Sequence, residues 1–102
     1  IEIKRMMQSF GHQISQMNSQ AISEIAGDIK KSDFLDLAQS ISILRAKYLK
    51  DVLTVAHADE AQLTGKLCHD FKAAREAYQE ALQSFDQLKH ALQRGYFNLV
   101  DE

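Results

Sequence analysis

The chain has 102 residues, with 12 lysines and arginines against 14 aspartates and glutamates and a formal net charge of −2. This length suffices for one modest hydrophobic core, and the evenly spread charge excludes the basic footprint expected of a nucleic-acid-binding protein. Proline is absent, which favours unbroken helices, and a lone cysteine, Cys68, excludes an internal disulfide.

The sequence contains no run of apolar residues close to the roughly 18 needed to cross a bilayer, so we expect no membrane partner. The chain opens on Ile1 rather than methionine, and no basic-then-apolar leader follows it. We therefore expect a trimmed or excised domain, either cytoplasmic or exported without a Sec-type signal.

The first predicted helix covers about residues 3–26. Its apolar residues alternate in steps of four and three, the spacing of a narrow stripe that faces other helices: Ile3, Met7, Phe10, Ile14, Met17 and Ala21, widened by Met6, Ile22 and Ile25. Gly27 is placed to cap the helix in a left-handed conformation. No residue from Met6 to Ser23 carries a formal charge, and Gly11 lowers the helix propensity. This helix therefore needs a neighbour or a partner to stay formed.

The second helix is predicted at about residues 33–57 and the third at about residues 60–94, with a short apolar tail at 95–102 that begins with a capping glycine. The third helix carries a heptad seam through nearly four repeats: Leu67, Phe71, Ala74, Tyr78, Ala81, Phe85, Leu88 and Leu92. The second has a wider apolar face, expected of a central helix with neighbours on two sides: Phe34, Leu37, Ile41, Leu44, Tyr48, Val52 and Val55, broadened by Leu35, Ala38, Leu49, Leu53 and Ala56. We expect the following residues to be buried: Ile41, Leu44, Phe71, Tyr78 and Phe85.

Two places are candidates for the break between the second and third helices. Asp59 and Glu60 suit a helix start, which favours a turn at residues 57–60. Thr64 and Gly65 offer a later break, and a single unbroken helix over residues 33–94 is the third possibility. Three such helices with short connections predict an all-α fold, an elongated antiparallel three-helix bundle in one domain. The alternative is an open helical hairpin that completes its core by oligomerising, with the first helix supplied by another chain.

The titratable residues do not form a pattern typical of an active site. A metal site would need the group around His57, Asp59 and Glu60 to be repeated on other helices, so we predict no metal and no cofactor. Cys68 and His69 are adjacent in a helix and point about 100° apart, so they cannot act together. We expect Cys68 to be a small buried apolar residue beside the seam, and we predict that the protein is not an enzyme.

Two short resemblances to known families accompany this pattern. A segment of the third helix resembles the second helix of a tetratricopeptide repeat through Asp70, Phe71, Ala74, Tyr78, Ala81 and Leu82, without a first-helix motif or a second copy at 34 residues. The length and helical content resemble small helical proteins exported by, or chaperoned for, bacterial specialised secretion systems. The type VII members carry a Trp-x-Gly motif and a Tyr-x-x-x-Asp tail. Here tryptophan is absent, and Phe97-x-x-x-Asp101 is a variant of the tail motif with phenylalanine in place of tyrosine.

The sequence thus predicts a non-enzymatic helical module for protein–protein interaction or assembly, and a component of a secretion apparatus is the alternative. We expect its partner to be another protein or a second copy, with no small-molecule substrate. Uncharged polar residues lose their hydration at less cost than ions, so the polar face of the first helix and the apolar tail are the predicted partner surface. Its residues are Gln8, His12, Gln13, Gln16, Gln20, Tyr96 and Phe97.

Overall fold

A computed structural model describes residues 1–100 of the chain. Helices account for 83% of these residues, which confirms the all-α class. The elements in chain order are helix α1 (Glu2–Ile25), strand β1 (Ile29–Lys30), helix α2 (Lys31–His57), a 3-10 turn (Glu60–Gln62), helix α3 (Gly65–Gln93) and strand β2 (Leu99–Val100).

Two glycines end helices in the manner that the sequence predicts. Gly27 follows α1 with a φ of 76°, and its N–H donates to the carbonyl of Ile22 at 3.1 Å. Gly95 follows α3 with a φ of 75°. The N–H of Gly95 donates to the Leu92 carbonyl at 3.0 Å, and the N–H of Tyr96 donates to the Ala91 carbonyl at 2.9 Å. This pair of bonds is a Schellman motif, in which the left-handed residue lets the chain reverse over the helix end.

Both candidate breaks between the second and third helices are used. α2 ends at His57, as predicted, and α3 begins at Gly65 instead of about residue 60. Asp59 caps the 3-10 turn between them, since its carboxylate accepts from the Gln62 N–H at 3.0 Å and its own N–H donates to Gln62 Oε1 at 3.0 Å. The Thr64 hydroxyl then accepts from the Leu67 N–H at 3.2 Å at the start of α3. Two successive capping residues therefore separate the helices, and the third possibility, one unbroken helix, is excluded.

α2 and α3 pack together through aromatic side chains. Phe34 and Phe85 meet edge to face with their ring centroids 5.9 Å apart. Tyr48 stacks on both Phe71, at 5.5 Å, and Tyr78, at 6.1 Å. These rings lie at the predicted seam positions, so the heptad spacing located the contact between the two helices correctly.

The predicted core is less enclosed than expected. Ile41 is buried, with 6% of its surface exposed, and it is the only residue of the described part of the chain that is. The other four predicted core residues are half-buried: Leu44, Phe71, Tyr78 and Phe85. Two helices enclose a single layer of side chains, and full burial of that layer requires a third element. The second face of α2 is likewise uncovered, because Leu35, Leu49 and Leu53 are 51–63% exposed.

The chain groups into two compact units. One comprises Ile1–Asp33 together with the segment from Gln87 onward, and the other comprises Phe34–Asp86. Within the first unit, β1 and β2 form a two-stranded parallel sheet in which Ile29 lies opposite Leu99 and Lys30 opposite Val100. The tail therefore turns back and joins the connection between α1 and α2. The predicted closing residues of the tail, Asp101 and Glu102, lie outside the described residues.

The resemblance to a tetratricopeptide repeat does not extend to the fold. Such a repeat fits two helices and their turn into 34 residues. Here α2 alone has 27 residues and α3 has 29. The matching residues are those that a long helix needs for close packing, with small side chains at Ala74 and Ala81 between aromatic ones.

Candidate interaction surface on helix α1

The apolar side chains along one face of α1 are exposed. Their spacing is that of a heptad seam, yet each has between 47% and 72% of its surface accessible, and none of the residues of α1 is buried. We call this face the α1 stripe; it consists of Ile3, Met6, Met7, Phe10, Ile14 and Met17. Six large apolar residues in a row along about 20 Å of helix form a contiguous patch of the kind that marks interaction sites.

α1 contacts the rest of the first unit through a different face. Its half-buried residues are small or polar for the most part: Ser15, Asn18, Ser19 and Ile22. Successive helical residues are rotated by about 100°, so this face lies roughly a third of a turn away from the α1 stripe. Ser19 and Ile22 line a pocket of about 260 Å³ together with Ile29, Tyr96 and Phe97. The chain thus uses the α1 stripe for none of these contacts.

The middle of α1 is electrically neutral over its whole circumference. No residue from Met6 to Ser23 carries a formal charge, and the charged residues of α1 lie at its ends: Glu2, Lys4, Arg5 and Glu24. The Gln20 side chain donates to Glu24 Oε1 at 3.1 Å. A partner that covers the α1 stripe from Met6 to Met17 therefore need not remove the hydration of any ion.

The predicted partner residues differ in their exposure. The five polar residues Gln8, His12, Gln13, Gln16 and Gln20 are exposed along α1, most of them on the side opposite the α1 stripe. Tyr96 and Phe97 are half-buried and line the pocket beside Ser19 and Ile22. Only the glutamines and His12 therefore lie on open surface. The sequence pattern did not identify the α1 stripe as a partner surface. Four-and-three spacing indicates that a helix packs against the stripe, and this helix can belong to the same chain or to another.

No three histidine, cysteine or acidic side chains converge as potential metal ligands within residues 1–100. The Asp59 carboxylate accepts a hydrogen bond from the N–H of Gln62, which gives Asp59 a structural role.

Cys68 is exposed, so the expectation of burial is wrong. It lies one position past the seam residue Leu67, and the rotation of about 100° per residue places it at the margin of the seam, where it lines a pocket with Tyr48 and Phe71.

In the same described range, none of the helices is both long enough and apolar enough to span a membrane. Comparison of the chain with models of known protein families, with curated proteins and with solved structures gave no match.

Proposed function

We propose that this protein is a non-enzymatic helical assembly module, in which the α1 stripe binds a helical surface of another protein chain. The exposure of the α1 stripe is the observation that carries this proposal. Full burial of one large apolar side chain contributes about 1.5–3 kcal/mol, so covering six of them offers a substantial driving force for association. The heptad spacing suits a second helix, because alternate steps of three and four residues keep a stripe facing a helical neighbour.

The composition of α1 supports a protein partner over a lipid surface. A helix that lies on a membrane carries lysine and arginine on its polar face, where they meet anionic headgroups. On α1 the polar face between Met6 and Ser23 carries glutamine, serine, asparagine and His12 instead, and the two basic residues, Lys4 and Arg5, lie in the first turn. Serine and asparagine have a modest helix propensity, and Gly11 is less favourable than alanine within a helix by about 1 kcal/mol. A bound helix would supply the stabilisation that the sequence of α1 lacks.

The half-enclosed contact between α2 and α3 supports an assembly that completes a bundle. Phe34, near the start of α2, contacts Phe85, near the end of α3, whereas Tyr48 contacts Phe71, which lies earlier in α3. This opposite order is the one expected of an antiparallel pair in a helical bundle. The uncovered second face of α2 (Leu35, Leu49 and Leu53) is available to a further helix. We propose that helices from associating chains complete the bundle.

A double substitution on the α1 stripe tests the proposal. Phe10→Glu with Ile14→Glu is expected to abolish association while the unfolding of α2 and α3 at low protein concentration stays within about 0.5 kcal/mol, as for surface changes. The near-ultraviolet signal of the stacked Tyr48 and Tyr78 reports that unfolding. His12→Glu with Gln16→Glu is the matched control, since it places two carboxylates with the same spacing on the opposite face.

The contrary result is a loss of stability of about 2–5 kcal/mol for the stripe variant alone, the size that a core substitution produces. It would show that the α1 stripe is covered within the chain, and the proposal would fall.

A further inference from the structure

We infer that the partner of the α1 stripe is the α1 stripe of a second copy of this chain, bound in the antiparallel direction. This inference rests on the proposed function and names its partner. The contact would be isologous, with the same surface of both copies related by a two-fold axis, as in most homodimers.

The spacing of the stripe residues fits an antiparallel pair over the whole length of the contact. With the two-fold axis at the level of His12, midway between Phe10 and Ile14, the residues of the four-and-three seam of one copy face apolar seam residues of the other, while Met6 at the margin of the stripe lies opposite Asn18. The facing pairs are Ile3 with Ala21, Met7 with Met17, and Phe10 with Ile14, each present twice. All six of these residues are exposed.

The charges of α1 favour the antiparallel direction over the parallel one. Glu24 continues the four-and-three spacing after Ala21, so a parallel pair in register would oppose Glu24 to Glu24. An antiparallel pair ends its seam at Ile3 and Ala21 and leaves Glu24 beyond the contact. There it lies near the first turn of the other copy, whose charges, Glu2, Lys4 and Arg5, sum to a net positive value. Between the ends the two faces are neutral, so nothing repels a second copy.

Cysteine cross-linking tests both the partner and its direction. Cys68 is exposed and is first replaced by serine, so that it forms no disulfide of its own. Met7→Cys and Met17→Cys are then prepared separately in this background, one of them with an affinity tag. The two positions are ten residues apart, or about 15 Å along the helix, which makes them distinguishable. An equal mixture of the two proteins is oxidised gently and separated without reductant.

The inference predicts that the disulfide forms between Met7→Cys of one chain and Met17→Cys of the other, with little product from either variant alone. Products that join like with like would show a parallel pair and overturn the inference. Absence of any cross-link would overturn a second copy as the partner. Neither result contradicts the proposed function, in which another chain covers the α1 stripe. That proposal is tested separately by unfolding of the Phe10→Glu, Ile14→Glu variant.

Discussion

Ile41 is the buried side chain in the contact between α2 and α3. Its exposed fraction is 6%, whereas Ile43, two residues further along the same helix, is 49% exposed. The difference follows from the rotation of about 200° between them, which turns Ile43 away from α3. In a contact between two helices, a single buried residue contributes a larger share of the free energy of unfolding than it does in a core with many buried residues.

Ile41→Ala is therefore expected to lower the free energy of unfolding by about 2–5 kcal/mol, the range for large-to-small substitutions in cores. Ile43→Ala removes the same atoms from an exposed position and is expected to cost about 1 kcal/mol or less. Denaturant unfolding of the two variants makes the comparison. Equal losses would contradict the observed orientation of α2.

At the scale of single residues, Arg45 stabilises the exposed edge of the contact between α2 and α3 by interacting with Tyr78. Its Nε donates to the Tyr78 hydroxyl at 3.0 Å, and its guanidinium carbon lies 5.4 Å from the centre of the Tyr78 ring. Tyr78 in turn stacks on Tyr48. The charged group thus covers the edge of an aromatic cluster with its polar end in water, a typical position for arginine.

At the scale of the element, glycine acts in opposite ways at the end and in the middle of a helix. Gly95 has a φ of 75°, a conformation that costs other residues about 1–2 kcal/mol. Gly11 lies within α1, where the extra backbone freedom of glycine lowers stability. At both positions the space for a methyl group is open, so contacts do not complicate the comparison.

Gly95→Ala is expected to destabilise the chain by about 1–2 kcal/mol, and Gly11→Ala to increase the helicity of α1 by an amount that corresponds to about 1 kcal/mol. Circular dichroism during thermal unfolding measures both changes. A shift of the same sign in the two variants would contradict the assigned conformations.

The elements also show what the sequence was able to predict and what it was not. The spacing of apolar residues located the seam of α2 and α3, and glycine chemistry located the ends of α1 and α3, because both are local properties. The break after α2 was ambiguous because two capping signals, at Asp59 and Thr64, follow each other. The short pairing of β1 with β2 joins residues 70 positions apart, and two-residue strands leave no periodic signal.

The candidate surface was predicted only in part for a related reason. The sequence identified α1 as the helix in need of a partner, from its neutral composition and from Gly11. It assigned the partner surface to the polar face and to Tyr96 and Phe97, because uncharged polar residues lose their hydration at less cost than ions. The apolar stripe was expected to pack inside the bundle or, in the alternative, against another chain. The spacing of a heptad seam predicts that another helix packs against it, but it does not indicate which chain supplies that helix.

At the scale of the whole molecule, the chain combines a half-enclosed pair of helices with a third helix whose apolar stripe is exposed. We expect such a chain to associate, since each part has apolar surface that the rest of the chain leaves uncovered. We propose that the α1 stripe is covered by another chain under native conditions. Protection of the α1 backbone from hydrogen exchange reports directly on this cover, because uncovered helices of weak propensity open and exchange readily.

Hydrogen–deuterium exchange of residues 7–17, measured over a range of protein concentrations, is the decisive measurement. We predict that exchange slows as the concentration rises, both in the unmodified chain and in the His12→Glu, Gln16→Glu control. In the Phe10→Glu, Ile14→Glu variant exchange is expected to stay fast at every concentration. Exchange of the unmodified chain that is independent of concentration, or equal in the control and the stripe variant, would show that no other chain covers the α1 stripe.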